Sequence, residues 1–230
     1  MPNSFKLEWD IQGTRFFQTG TNRGVLYPMA ADGSYPKGEV WNGLTGVDDN
    51  PDGAEAQDIW ADNIKYATFR SPENHGGTIK AYTFPDGFYA CNGQATPSDL
   101  EGMAIGQQKR KAFGFCYRTE ESDDLGNEYY ILHLVYNSTV SPSSKSNATR
   151  NENPDPVEMS WDYKSTSVAV TGITGVEQTC VVELSSRILG ATKMAAIENV
   201  LYGQSASGGN AVEARLPLPG EVYTILKAAA

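Results

Sequence analysis

The 230-residue chain holds only three cysteines and two histidines, and each scarcity closes off a class of chemistry. Cys91, Cys116 and Cys180 are odd in number and lack metal-ligand spacing, so they are expected to be buried free thiols rather than a disulfide framework or zinc site. With His75 in the turn Asn74-His75-Gly76-Gly77 and His133 in the middle of a strand, both imidazoles read as structural. No apolar run approaches the roughly twenty residues that a membrane-spanning helix needs. The opening Met1-Pro2-Asn3-Ser4, soon followed by Glu8 and Asp10, lacks the basic and apolar regions of a signal peptide, so Sec-dependent export is not expected. Without that route, the acceptor triplets Asn137-Ser138-Thr139 and Asn147-Ala148-Thr149 read as loop composition. Basic residues are outnumbered, 18 against 28 acidic, and the net charge of −10 opposes tight binding to nucleic acid. Such a surface suits a task in which DNA slides past without sticking.

What is present is enough for a full core. A hydrophobic content of 40% with 10% aromatics argues against disorder, and the length fits one domain over residues 1–230. Residues 1–28 read as an N-terminal arm or edge hairpin, and 204–230 as an extended C-terminal arm, because the prolines of Arg215-Leu216-Pro217-Leu218-Pro219 forbid helix and central strand.

The most informative stretch is Lys109 to Tyr136. Phe113, Phe115 and Tyr117 alternate with Gly114, Cys116 and Arg118, while Tyr130, Leu132, Leu134 and Tyr136 alternate with Ile131, His133 and Val135. Two central strands apolar on both faces are predicted. The connector Glu120 to Asn127 reads as an acidic, exposed tip. Further strands are predicted at Glu39–Leu44, Ile59–Thr68, Thr78–Phe84, Val157–Tyr163, Val168–Val170 and Thr179–Leu184, with one helix from Ala191 to Tyr202 on the face Ala191, Met194, Ile197, Leu201, stopped by Gly203. Val47–Asp58, Gly93–Gln108 and Asn137–Pro156 read as polar loops. The fold class is therefore mainly β: an antiparallel β-sandwich or barrel with one flanking α-helix.

Chemical motifs fail on inspection. Gly203-Gln204-Ser205-Ala206-Ser207 follows a helix and ends in Ser where a nucleophile elbow needs Gly. Asp48-Asp49-Asn50-Pro51-Asp52-Gly53 opens like a calcium loop, but the twelfth position is Ile59 where Glu is required. No phosphate loop or dinucleotide fingerprint occurs. Nothing in these residues by themselves names a reaction, a metal or a cofactor; that the chain is no enzyme and has no catalytic residue is what the family resemblance given below implies. The basic cluster Lys109, Arg110, Lys111 on so acidic a chain is a candidate inter-subunit contact, with simple solvent exposure as the other reading.

Taken in order along the chain, several segments resemble the major tail protein, the tail tube subunit, of long non-contractile-tailed bacteriophages. They are Arg23-Gly24-Val25-Leu26-Tyr27, Tyr35-Pro36-Lys37-Gly38, Trp41-Asn42-Gly43-Leu44, Ala61-Asp62-Asn63-Ile64-Lys65-Tyr66, Lys80-Ala81-Tyr82-Thr83-Phe84-Pro85-Asp86, Phe113-Gly114-Phe115-Cys116-Tyr117-Arg118-Thr119, Leu132-His133-Leu134-Val135-Tyr136, Met159-Ser160-Trp161-Asp162 and Arg215-Leu216-Pro217-Leu218-Pro219. These are structural segments without chemistry.

The resemblance implies a tail-tube-like domain that forms rings, usually of six, stacked into a hollow tube that conducts DNA during ejection. Its partners would be further copies of itself, the tape measure protein and tail-tip and terminator proteins, with DNA passing unbound and no membrane involved. The location would be the virion tail, after assembly in the host cytoplasm. Four strands from each of six subunits at about 4.8 Å give a backbone diameter of about 37 Å before tilt, wide enough for a duplex. A six-membered ring would carry about −60 from six chains of −10, and part of it facing the lumen would keep DNA off the wall. Glu158, Ser160 and Asp162, opposite Met159, Trp161 and Tyr163, are the lumen-facing candidates, with an ordinary solvent face as the other reading. The alternative function is a carbohydrate-binding β-sandwich of a tail-associated receptor-binding protein, motivated by Trp41, Trp60, Trp161 and the tyrosines. A hydrolase on the same fold would need two carboxylates facing each other in a cleft.

Overall fold

The two strands of the central hairpin, β9 (Phe113–Asp123) and β10 (Glu128–Val140), organise the molecule because each is apolar on both faces. In the computed structural model, which describes residues 7–53, 55–70, 73–100, 102–143, 145–147, 149, 156–206 and 211–229, they lie in the middle of an eight-stranded antiparallel sheet. Before them come β1 (Phe16–Pro28), β2 (Glu39–Trp41), β3 (Leu44–Asp49), β4 (Asp52–Gly53), β5 (Ala56–Ala61), β6 (Ile64–Arg70), β7 (Glu73–Asn74), β8 (Gly76–Ala81) and the single turn α1 (Phe88–Cys91). After them come β11 (Met159–Ser165), β12 (Val168–Ala169), β13 (Gln178–Thr179), β14 (Val181–Ser185), α2 (Ser186–Leu201) and α3 (Pro219–Ala228). The sheet order is β2-β1-β9-β10-β11-β8-β3, and β14 also pairs with β10 beside the β11 contact. Because the tight β2–β3 connection joins the two ends of that order, the sheet wraps into a partly open barrel.

Two cores lie on opposite sides of β9 and β10. Inside the barrel Trp41, Phe88, Phe113, Phe115, Tyr117, Trp161 and Tyr163 are buried. Trp41 sits at its centre, 4.7 Å from the Phe88 ring, 5.4 Å from Phe115 and 5.7 Å from Trp161, and its indole N–H donates to the Thr83 carbonyl at 2.8 Å. Edge-to-face pairs of this kind each add about 0.5–1.5 kcal/mol beyond area burial. On the other side Leu132, Leu134 and Tyr136 meet Met194, Ile197 and Leu201 of α2 and Val222 of α3. The two-faced burial predicted for the central strands is what the structure has, as is the inward face Trp161 and Tyr163 of β11.

Several expectations are corrected. The predicted strand Ile59–Thr68 is a hairpin, because Asp62 and Asn63 take φ of 52° and 63°, the pair of left-handed residues that a two-residue turn needs. Val47–Asp58, read as a loop from its Asp, Pro and Gly, is largely strand, since the ladder from β3 to β8 carries Val47, Asp48 and Asp49 past the polar composition. The acidic connector is shorter than predicted. The Phe16–Thr19 end of β1 pairs with Glu120 to Asp123 and extends β9, leaving Glu121 and Asp123 buried. Glu121 meets Arg187 at 3.2 Å, and Asp123 accepts the backbone N–H groups of Leu125 and Asn127, both at 2.9 Å.

The helix face is Met194, Ile197 and Leu201 as predicted, but Ala191 is exposed beside Gly190, whose φ of 79° breaks the helix there. Gly203 does stop it, at φ 75°. Neither terminus is a free arm throughout. The end of β1, Gly24 to Tyr27, is core. Residues 211–218 are extended but docked on the body, with Leu216 buried and its N–H donating to the Tyr35 carbonyl at 3.2 Å. Pro219 then occupies the first turn of α3, where its missing N–H costs nothing, so a second helix flanks the sheet. Parts of the predicted loop Asn137–Pro156 lie outside the described residues; β10 takes its first four positions.

Candidate assembly surfaces

Alternation along β11 turns Glu158, Ser160 and Asp162 outward, and all three are exposed as expected. They form one small polar field with β8 and β3. Thr45 Oγ1 donates to Glu158 at 2.5 Å, Thr78 Oγ1 to Asp162 at 2.6 Å, and Lys80 Nζ lies 2.6 Å from Asp48. The hydrogen bond that Lys80 donates to Asp48 holds its ammonium above the ordinary pKa. The face is thus carboxylate-rich but internally tied.

The basic cluster separates in the structure. Lys109 and Lys111 are exposed, whereas Arg110 is half-buried and donates to the Val140 carbonyl at 3.2 Å, stapling the loop after α1 to the end of β10. Only the two lysines remain available for contacts between copies. Sequence alone does not distinguish them, since the Arg110 partner is a backbone carbonyl thirty residues away.

The barrel mouth gathers titratable groups from five strands. Asp49 accepts hydrogen bonds from Tyr117 at 3.1 Å and Tyr163 at 3.2 Å. His133 stacks on Tyr117, meets Thr119 Oγ1 through Nε2 at 3.0 Å, and holds Nδ1 3.2 Å from Glu183. Burial, then the Asp49 carboxylate, pushes both tyrosine hydroxyls far above their ordinary pKa. These phenols stay protonated as donors to Asp49. Nearby, Asp52 and Asp162 line a polar cleft of about 310 Å³ with His75 and Lys164. The Asp52 side chain is 75% exposed and Lys164 Nζ lies 3.9 Å from it.

The β5–β6 hairpin is an unburied apolar surface among the described residues. Every residue in it but Ala61 and Ala67 is exposed, including Ile59 at 46%, Trp60 at 65%, Ile64 at 61%, Tyr66 at 72% and Phe69 at 61%. The register places Ile59, Ile64 and Phe69 on one face, while Asp58, Lys65 and Thr68 tie the other through a 2.7 Å ion pair and a 2.8 Å hydrogen bond. The three side chains of the apolar face present on the order of 300 Å², at the lower end of what a monomer's largest patch shows, with Trp60 on the polar face. The sequence signal was the apolar run on both sides of Asp62-Asn63. Of the four tryptophans, Trp41 and Trp161 are core, while Trp60 stands on this hairpin and Trp9 in the exposed segment before β1.

No protein-family model and no curated protein matches the chain. Among solved structures it is similar to the sheath/tube terminator of an extracellular contractile injection system, at 11% identity over 78% of this chain and 99% of that one, with a TM-score of 0.32. It is also similar to the tube-terminating cap of an anti-feeding prophage, at 10% identity over 80% of this chain and 96% of that one, with a TM-score of 0.31. Both scores lie below the level that defines a shared fold.

Proposed function

We propose that this chain is a structural subunit of a phage-type tail that assembles with copies of itself into stacked rings, the tail tube through which DNA passes, and that it catalyses no reaction. The observation that carries this reading is the β5–β6 hairpin. A subunit whose two cores are complete still holds a long hairpin in water with one apolar face uncovered, and self-association is the direct way to bury it. In the ring the exposed field of Glu158, Ser160 and Asp162 would face the lumen and repel DNA, with Lys109 and Lys111 meeting acidic surface of a neighbour. The order of segments that resembles tail tube subunits supports the same reading. Of the three tryptophans that motivate the carbohydrate-binding alternative, Trp41 and Trp161 are buried at 2% and 3%, while Trp60 is 65% exposed on the β5–β6 hairpin. Negative-stain electron microscopy across a concentration series, beside size-exclusion chromatography, tests the proposal. Rings or tubes with a central channel are expected, and a monodisperse monomer at every concentration would overturn self-assembly by this chain alone.

A further inference from the structure

The dipeptide Asn-Gly occurs twice in the chain, at Asn42-Gly43 and Asn92-Gly93, and the fold treats the two differently. In this dipeptide a backbone amide nitrogen can attack the preceding side-chain amide with little hindrance, because glycine carries no Cβ to screen it. Asn42 and Gly43 form the turn between β2 and β3, and Gly43 takes φ 72°, a left-handed value that favours glycine. Both residues are exposed. Neither the Asn42 side chain nor the Gly43 N–H has a hydrogen-bond partner among the described residues, whereas the Gly43 carbonyl accepts from the Tyr82 N–H at 2.8 Å. At the second pair the reacting groups are engaged. The Asn92 side-chain oxygen accepts from Arg110 at 3.5 Å, the Gly93 N–H donates to the Ala90 carbonyl at 3.4 Å, the Gly93 carbonyl accepts from the Gln108 N–H at 2.9 Å, and Gly93 is buried.

We infer that Asn42 is a site of spontaneous deamidation in the native chain, and that the fold protects Asn92 from the same reaction. The Gly43 nitrogen loses its proton to hydroxide and attacks Asn42 Cγ. A C–N bond forms to close a succinimide ring, and the bond to the side-chain nitrogen breaks, that nitrogen leaving as ammonia after taking a proton from water. Water then opens the ring at either carbonyl. One opening gives aspartate at position 42; the other gives isoaspartate, in which the backbone runs through the former side chain and gains a methylene. Both products carry a negative charge that Asn42 lacks, three residues before Thr45, whose hydroxyl donates to Glu158 in the outward carboxylate field. Isoaspartate also lengthens a turn that is fixed on both sides. Before it Trp41 sits in the barrel core, 4.7 Å from the Phe88 ring, and after it Leu44 begins the ladder to β8. Even a Cβ at Gly43 would stand 3.1 Å from Thr83 Cγ2. The isoaspartate product is therefore expected to lose the hydrogen bond from Tyr82 to Gly43 and to melt below the unmodified chain. The inference concerns a single chain and is independent of the assembly reading.

The test incubates the full-length chain at low concentration, at neutral and at mildly alkaline pH, with a sample in urea beside it. Proteolytic peptides are followed by mass spectrometry, and isoaspartate is separated from aspartate by chromatography against synthetic standards. In the native chain the expected result is the mass gain of an amide turned to acid at residue 42, faster at the higher pH, with residue 92 unchanged over the same interval. In urea both positions should react alike, and Asn42→Ser should lose the signal at its position. Native reaction at residue 92 as fast as at residue 42, or an Asn42 that reacts only in urea, would overturn the inference. Thermal melts of the aged chain beside Asn42→Asp, which adds the charge without the methylene, read the backbone effect. A lower melt in the aged chain alone is expected, and equal melts would remove that consequence.

Discussion

The imidazole of His133 lies flat on the ring of Tyr117, centroids 4.4 Å apart and planes within 5°, on the strand pair that forms the middle of the sheet. Burial lowers the His133 pKa below the ordinary imidazole value, while the carboxylates of Glu183 and Asp49 oppose that shift without reversing it. A folded-state pKa below the unfolded one means that the unfolded chain takes up the proton more readily. The stabilisation is therefore present above about pH 6.5, the unfolded value, and is lost as pH falls toward the folded pKa. Urea midpoints measured at pH 7.5 and 5 should fall on acidification, and by less in His133→Gln, whose side chain does not titrate. An equal fall in both proteins would contradict this account.

Gly114 and Leu216 show why the C-terminal segment is part of the body. A Cβ on Gly114 would collide with Leu216 Cδ2 and stand 3.2 Å from the ring of Tyr35. Gly114→Ala is expected to cost about 1–3 kcal/mol by overpacking, and Leu216→Ala about 2–5 kcal/mol by loss of buried volume. Because the first clash disappears with the second side chain, the double variant should be less destabilised than the sum. Chemical denaturation of all four proteins reads the coupling directly.

Thiol reactivity provides a simple check on burial. Burial pushes the Cys91 and Cys116 thiols up to about 12 and also raises that of Cys180, which is only half-buried and so remains the accessible one. A thiol reagent at neutral pH should label one cysteine per native chain quickly and all three only after unfolding. Rapid labelling of Cys116 in the native protein would contradict its placement between the sheet and the helices.

The extent to which this structure was legible in sequence followed from how local each cause is. Phe113, Phe115 and Tyr117, or Met194, Ile197 and Leu201, announce their faces by period alone, and Gly203 announces the helix end. Alternation likewise turned Glu158, Ser160 and Asp162 outward. What escaped depended on distant partners. Asp48 and Asp49 read as loop until β8 pairs with them, Arg110 reads as free charge until the Val140 carbonyl is beside it, and the tail reads as an arm until Leu216 settles on Gly114. α3 hides behind the prolines that precede it.

The hairpin is the place where stability and assembly separate. Ile59→Lys and Phe69→Glu change side chains already in water, so each should shift monomer stability by no more than about 0.5 kcal/mol while preventing association. Thermal melts at low concentration check the first half. A variant that unfolds together with losing assembly would mean that the hairpin belongs to the core after all.

The most direct test of the central claim is negative-stain microscopy of the full-length chain and of Phe69→Glu over the same concentration series. Self-assembly through uncovered apolar surface predicts rings or channelled tubes in the first and dispersed single subunits in the second. Dispersed subunits in both, or the same tubes in both, would contradict it.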